Sequence, residues 1–118
     1  ILARTWIPLQ DAPANRFTYS AKVHTDPGLM VLMSASNPQS KSPQGNYEFE
    51  MPQAIPSYLM ALCAGDLDFI SLGKDCGVYA EPAMVKKAAW EFEDLEKMIK
   101  AAEELYGPYA WGRYDVVV

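Results

Sequence analysis

The longest regular pattern in the sequence is a three- and four-residue spacing of apolar side chains between Pro82 and Tyr106. The spacing places apolar side chains along one side of a helix and most charged ones on the other, so it predicts one long amphipathic helix. Pro82 suits the first helical position and Gly107-Pro108 suits the end, because glycine accepts a left-handed cap and proline cannot continue the helix. A stripe of this width requires a covering surface, which we expect to be a β-sheet.

Alternation with a period of two predicts half-buried strands at residues 16–23 and 47–51, where apolar and polar side chains take turns. Shorter apolar runs predict further strands at residues 2–7, 29–34, 69–72, 77–80 and 114–118, with 69–72 and 77–80 forming a hairpin. Residues 55–64 are apolar nearly throughout, which predicts a strand covered on both faces at the centre of a sheet.

These elements predict an α+β fold. Mostly antiparallel strands, roughly six to eight of them, come first and are followed by one long helix and a last strand. The sequence changes character near residues 66–68, because Gly65-Asp66 ends the long apolar run. We therefore expect two structural regions that meet near that point.

Composition narrows the classes of protein that fit. The chain has 118 residues, half of them apolar, and a net charge of −5, so it can bury a core but has no basic stripe for a nucleic-acid partner. No apolar run approaches the about 20 residues of a membrane-spanning helix, so no membrane partner is expected. Cys63 and Cys76 are predicted to be free thiols, which fits a reducing compartment such as the cytoplasm.

Both ends of the sequence are apolar. It begins with Ile1 and enters directly on a strand-like run, and it stops at Val118 in another. Natural domain termini tend to be polar and exposed, so we expect these residues to be a piece of a longer polypeptide.

Candidate chemistry is sparse. His24 is the single histidine, so two histidines and a carboxylate cannot be assembled into a zinc site. As a general base it could serve Ser57, Cys63 or Cys76, although no spacing supports such a pair, and a solvent-facing role is the simpler interpretation. Asp66 and Asp68 could form a carboxylate pair for acid–base work, or they could mark a boundary. These options stay open at the level of sequence.

Four motifs, in order, resemble zinc aminopeptidases of the aminopeptidase N type. Residues 7–13 (Ile-Pro-Leu-Gln-Asp-Ala-Pro) resemble the family's Pro-Cys-x-Asp-x-Pro signature, with Leu9 in place of the usual cysteine. Residues 55–67 resemble the buried strand before the catalytic domain, and residues 78–82 match the entry to the following helix. Residues 105–115 (Leu-Tyr-Gly-Pro-Tyr-Ala-Trp-Gly-Arg-Tyr-Asp) are most similar to the leukotriene A(4) hydrolase branch.

The resemblance implies that residues 1–67 are the end of an all-β N-terminal domain and residues 68–118 open a thermolysin-like catalytic domain. It implies a hydrolase, a metalloprotease that removes N-terminal amino acids from peptides and uses zinc. The family's substrate-binding segment, its Gly-x-Met-Glu-Asn motif and its His-Glu-x-x-His helix all fall outside these residues. No catalytic, substrate-binding or metal-binding position of the family maps onto this sequence, so the segment is expected to be structural and inactive alone, with the rest of the parent polypeptide as its partner.

Two alternatives remain. A free-standing β-rich protein-interaction module would use the aromatic side chains near Tyr109 and Trp111. A small hydrolase would depend on His24 as its base.

Overall fold

Seven short strands, two helices and two 3-10 turns make up the fold in the computed structural model, which describes residues 2–118. The strands are β1 (Arg16–His24), β2 (Met30–Met33), β3 (Asn46–Pro56), β4 (Leu62–Gly65), β5 (Asp68–Ser71), β6 (Cys76–Ala80) and β7 (Tyr114–Val117). The helices are α1 (Val85–Glu91) and α2 (Leu95–Tyr106), and the 3-10 turns are Ala3–Thr5 and Ser57–Leu59.

The strands form three small sheets. Strand β1 pairs with β3, β2 pairs with β4, and β6 lies between β5 and β7. All pairs are antiparallel except β6 with β7, which is parallel because α1 and α2 carry the chain across between them. The predicted α+β class with mostly antiparallel strands is confirmed, as is the predicted hairpin, which is β5 and β6.

The three sheets and α1 pack on one another through alternating side chains of β2 and β6. From β2, Val31 and Met33 pack toward β1 and β3, whereas Met30 and Leu32 pack toward Tyr79 of β6. From the other side of β6, Val78 and Ala80 pack under α1. Both strands are therefore buried on both faces, and they hold the layers together.

One close approach in the β5–β6 hairpin requires glycine. A Cβ atom at Gly77 would lie 2.2 Å from the ring of Phe69, whose ring is 4.7 Å from that of Tyr79. Only a residue without a side chain lets Phe69 lie across the strand at this point.

The prediction of a strand at residues 2–7 is wrong, and Ile1 lies outside the described residues. Ala3–Thr5 forms a 3-10 turn in which the N–H of Ile7 donates to the carbonyl of Ala3 at 3.0 Å. The Asp11 carboxylate accepts from both the backbone and the guanidinium of Arg4, each at 3.3 Å. These bonds give the backbone of the segment a local partner in place of a strand.

The prediction of one covered central strand at residues 55–64 is also wrong. Strand β3 ends at Pro56, which has no N–H to donate to a ladder, and Ser57 turns into the second 3-10 turn. Tyr58, Leu59 and Leu62 are 65%, 47% and 46% exposed. The strand that is covered on both faces is β2.

The predicted long helix is bent. It is interrupted at residues 92–94, where Phe92 leaves helical geometry (φ −101°, ψ 19°) and Leu95 donates back to the Phe92 carbonyl at 3.0 Å. Phe92 packs against the core under α1, and the tightened turn lets Leu95 become buried as well. The predicted end is confirmed, since Gly107 follows α2 with φ 91°. Neither helix in residues 2–118 has the length and apolarity to cross a membrane.

Candidate functional site

His24 is far from the serine that it could have served. The ring is exposed at the end of β1, and its Nδ1 lies 2.8 Å from Oδ1 of Asn46, the residue opposite it in β3. Ser57 follows the other end of β3, where Arg16 pairs with Pro56. A strand of nine residues separates those ends by about 27 Å. His24 and Ser57 therefore cannot form a base and nucleophile pair.

Ser57 has a structural partner. Its side chain is fully buried, and its hydroxyl donates to Oδ1 of Asp11, which also accepts from Arg4 through Oδ2. The hydrogen bond from Ser57, followed by those from Arg4, lowers the pKa of the Asp11 carboxyl below its ordinary value of 3.8. The three residues form a closed network that ties the first 3-10 turn to the end of β3.

Both cysteines are free thiols, as predicted. Cys76 is buried in β6, and burial raises the pKa of its thiol, with a further contribution from the charge of Glu96. Cys63 is partly exposed in β4, opposite Leu32. The Cys76 thiol stays protonated at neutral pH, so it is not an activated nucleophile.

Asp66 and Asp68 both pair with Lys41. The Lys41 ammonium donates to Asp66 and lies 3.4 Å from Oδ1 of Asp68, while Leu67 between them points into the core. These contacts raise the pKa of Lys41, and the hydrogen bond to Asp66 is the largest cause. Both carboxylates are therefore ion-paired with the Lys41 ammonium.

A packed contact joins β2 to β6; we call it the junction and define it by Met30, Leu32, Leu67 and Tyr79. The Tyr79 ring is fully buried, and its hydroxyl donates to the carbonyl of Pro38 at 3.1 Å. Burial raises the pKa of Tyr79 to about 12, so the hydroxyl keeps its proton near neutral pH. The junction therefore fixes β6 against β2 and against the loop that follows β2.

A cleft of about 610 Å³ opens beside the junction. Its lining includes Met33, Met51 and Leu59 together with Tyr109 and Trp111. The two aromatic side chains are 38% and 39% exposed, so they line the cleft and also face solvent. The cleft is bordered by residues of β2 and β3 and by the segment that leads into β7.

An ion pair between Arg113 and Asp115 also lines the cleft. Arg113 binds Asp115 through two bonds, Nε to Oδ2 at 3.1 Å and Nη2 to Oδ1 at 2.9 Å. Its guanidinium also lies 5.9 Å from the centre of the Phe69 ring and 3.4 Å from the carbonyl of Lys74. The hydrogen bond to Asp115 is the main cause of a raised pKa for Arg113. Because the two charges satisfy each other, the pair fixes β7 and leaves no free charge for chemistry.

No cluster of three or more histidine, cysteine, aspartate or glutamate side chains that could hold a metal ion occurs in residues 2–118. The residues present therefore do not fit a zinc ion, which needs about four nitrogen, sulfur or oxygen ligands.

Sequence reasoning missed the residues that build the junction and the cleft. Lys41 lies in a segment that reads as an exposed loop, and Tyr79 reads as one of several core aromatics. Arg113 and Asp115 lie two residues apart at the start of β7, a charge spacing that is also typical of a solvated face. No signal in a single sequence distinguishes these residues from ordinary surface and core positions.

No protein-family model matches the chain. Among curated proteins, it is 44% identical to mouse aminopeptidase RNPEPL1 over 97% of its length, 41% to rat aminopeptidase B over 99%, and 40% to Xenopus laevis leukotriene A-4 hydrolase over 98%. The chain spans only 16%, 18% and 20% of those three proteins.

Solved structures agree with the sequence comparisons. Native yeast LTA4 hydrolase superposes on 98% of the chain with a TM-score of 0.89 and 36% identity, and the chain covers 18% of it. An M1 zinc metallopeptidase from Deinococcus radiodurans has the same fold over 98% of the chain, with a TM-score of 0.75 and 18% identity; the chain covers 29% of it. The resemblance in the motifs is confirmed: over essentially its whole length, the chain is a homologue of one segment of aminopeptidase B, RNPEPL1 and leukotriene A4 hydrolase.

Proposed function

We propose that these 118 residues are an internal segment of a longer zinc aminopeptidase that removes N-terminal amino acids from peptides. The observation that carries the proposal is the homology itself, which extends over at least 97% of the chain but over only 16–20% of the curated relatives. The relatives are named as aminopeptidases and a hydrolase, and a structural neighbour is named as a zinc metallopeptidase.

The proposed domain boundary lies between residues 67 and 68. Two features support it: the strands up to β4 pair only with each other, and β5 begins a separate three-stranded sheet at Asp68. The contact between the two regions is the junction, where Leu67 packs against Tyr79. In this proposal residues 1–67 end an all-β domain, and residues 68–118 begin the catalytic domain.

The catalytic, substrate-binding and metal-binding residues are proposed to lie outside the segment. In the parent enzyme, zinc would polarise the peptide carbonyl and activate water. Within this segment, the one histidine contacts Asn46, the candidate serine is bonded to Asp11, and Asp66 and Asp68 are paired with Lys41. The segment sets the shape of the cleft, because the junction fixes the relative positions of the two regions that border it.

The proposal is tested by assaying the longer polypeptide that contains these residues against aminoacyl-arylamide substrates. We expect product release that is lost on zinc removal and recovered when zinc is restored. We also expect the His24→Ala variant to retain full activity, because the imidazole is exposed and bonded only to a neighbouring side chain. A zinc-loaded polypeptide that hydrolyses none of these substrates would show that the assignment is wrong.

A further inference from the structure

The second helix has an apolar face that runs beyond the surface on which it begins. We define the α2 stripe as Leu95, Met98, Ile99, Ala102, Leu105 and Tyr106, which share one side of the helix. Its exposure increases along the helix: Leu95 is 8% exposed, whereas Leu105 and Tyr106 are 75% and 87% exposed. The first turn is anchored in the core, and the last two turns have no cover within residues 2–118.

Local interactions within α2 are too weak to explain its stability. A helix of 12 residues is marginal in water, where most helical stability comes from packing of the apolar face. The ion pairs Lys97–Asp94 and Lys100–Glu96 are exposed and contribute little.

Charged side chains at the end of α2 destabilise the helix further. Glu103 and Glu104 lie in the last turns, near the negative end of the helix dipole, and the last turn has no basic residue. Glu103 accepts a hydrogen bond from the Tyr109 N–H, but neither glutamate forms a salt bridge within the described part of the chain. A surface that covers the stripe and carries a positive charge near Tyr106 would bury the exposed apolar side chains. It would also offset the unfavourable interaction of the two glutamates with the helix dipole.

We propose that the α2 stripe is a permanent docking surface for the part of the parent polypeptide that lies outside these 118 residues. This inference rests on the proposed function. The homologous proteins contain about five or six times as much chain, as the 16–20% coverage shows, so an intramolecular occupant is available. The occupant has an apolar surface with a lysine or arginine beside the end of α2.

Two other occupants fit less well. A second copy of the chain would need about 800 Å² from each partner for a stable dimer, and three well-exposed side chains, Met98, Leu105 and Tyr106, cannot supply it. A transient partner would leave the stripe bare for part of the time. A helix this short would then lose the packing on which it depends.

The inference is tested by thiol labelling of two variants of the longer polypeptide, Leu105→Cys and Glu104→Cys. The positions are adjacent, but residue 104 points away from the stripe and serves as the matched control. Under native conditions we expect the thiol at position 105 to react with maleimide about ten-fold or more slowly, because labelling requires local opening. In denaturant the two rates should agree. Mass spectrometry of the peptide that contains both positions separates them from native cysteines.

Equal native labelling rates at positions 104 and 105 would overturn the inference. If Leu105→Cys does not fold, amide hydrogen exchange of the unsubstituted polypeptide decides. We expect the last turn of α2 to be protected as strongly as α1, and rapid exchange there would also overturn the inference. The outcome is separate from that of the proposed function: a protected stripe in an inactive polypeptide refutes only the enzyme assignment, and an exposed stripe in an active zinc enzyme refutes only the docking surface.

Discussion

The Asp11 carboxylate joins two segments that lie 46 residues apart in the sequence. It accepts a hydrogen bond from the buried Ser57 hydroxyl and two more from Arg4, so most of its bonding capacity is used inside the protein. Local sequence around Asp11 names no partner for its carboxylate, and only the tertiary fold brings the Ser57 hydroxyl to it. The partner of a short polar side chain is decided by the fold, which is why this contact could not be predicted.

We predict that Ser57→Ala will weaken the acid dependence of stability. The pKa of Asp11 is lowered in the folded state, so its contribution is present above about pH 4 and is lost as pH falls through the lowered folded pKa. Removing the Ser57 hydroxyl removes the largest cause of that shift. The free energy of unfolding, measured from about pH 6 to about pH 2, should fall less steeply in the variant below about pH 4. An unchanged pH profile would contradict this role.

At the scale of elements, periodic patterns predicted the structure well wherever packing follows the period. Strand β1, the β5–β6 hairpin and the end of α2 lie where alternation and turn residues place them. One strand prediction failed at residues 2–7, which form a 3-10 turn. Another failed in residues 55–64, where continuous apolarity looks the same in a covered strand as in a turn between two strands. The bend at residues 92–94 was missed for a similar reason, because the stripe continues across it and only the packing of Phe92 requires the turn.

We predict that Arg113→Met will destabilise the β5–β6–β7 sheet by about 1–3 kcal/mol, because it leaves the nearly buried Asp115 carboxylate without its two charged hydrogen bonds. The measurement is denaturant unfolding of the protein. Lys22→Met, which removes one partner of the exposed pair with Glu48, is the control and should leave stability nearly unchanged. Equal losses of stability in the two variants would show that the Arg113–Asp115 pair contributes no more than an exposed ion pair.

At the scale of the whole molecule, the layers meet at the junction, and the cleft lies beside it. The sequence predicted two regions that meet near residues 66–68, but not the contact that joins them. Lys41, which pairs with Asp68, and the carbonyl of Pro38, which accepts from Tyr79, lie in one loop, and only the tertiary fold brings that loop to these partners. The candidate cleft could not be predicted for the same reason, because its walls come from segments far apart in the sequence.

We predict that Tyr79→Phe will lower kcat/KM of the longer polypeptide, by up to about 100-fold, since a displacement of about 1 Å in a support can have that effect. The variant loses the hydroxyl that binds the Pro38 carbonyl, and its zinc content should not change. Tyr58→Phe, at a side chain that is 65% exposed, is the matched control and should behave as the unsubstituted enzyme. Loss of zinc from the Tyr79→Phe variant would contradict a role for Tyr79 that is limited to fixing the junction.

The central claim is that these residues are scaffold and that the metal chemistry is performed elsewhere in the parent polypeptide. Calorimetric titration of zinc into the 118-residue chain tests that claim most directly. We expect no stoichiometric binding, because residues 2–118 contain no cluster of metal-ligating side chains and the single histidine is exposed beside Asn46. One tightly bound zinc ion per chain would contradict it.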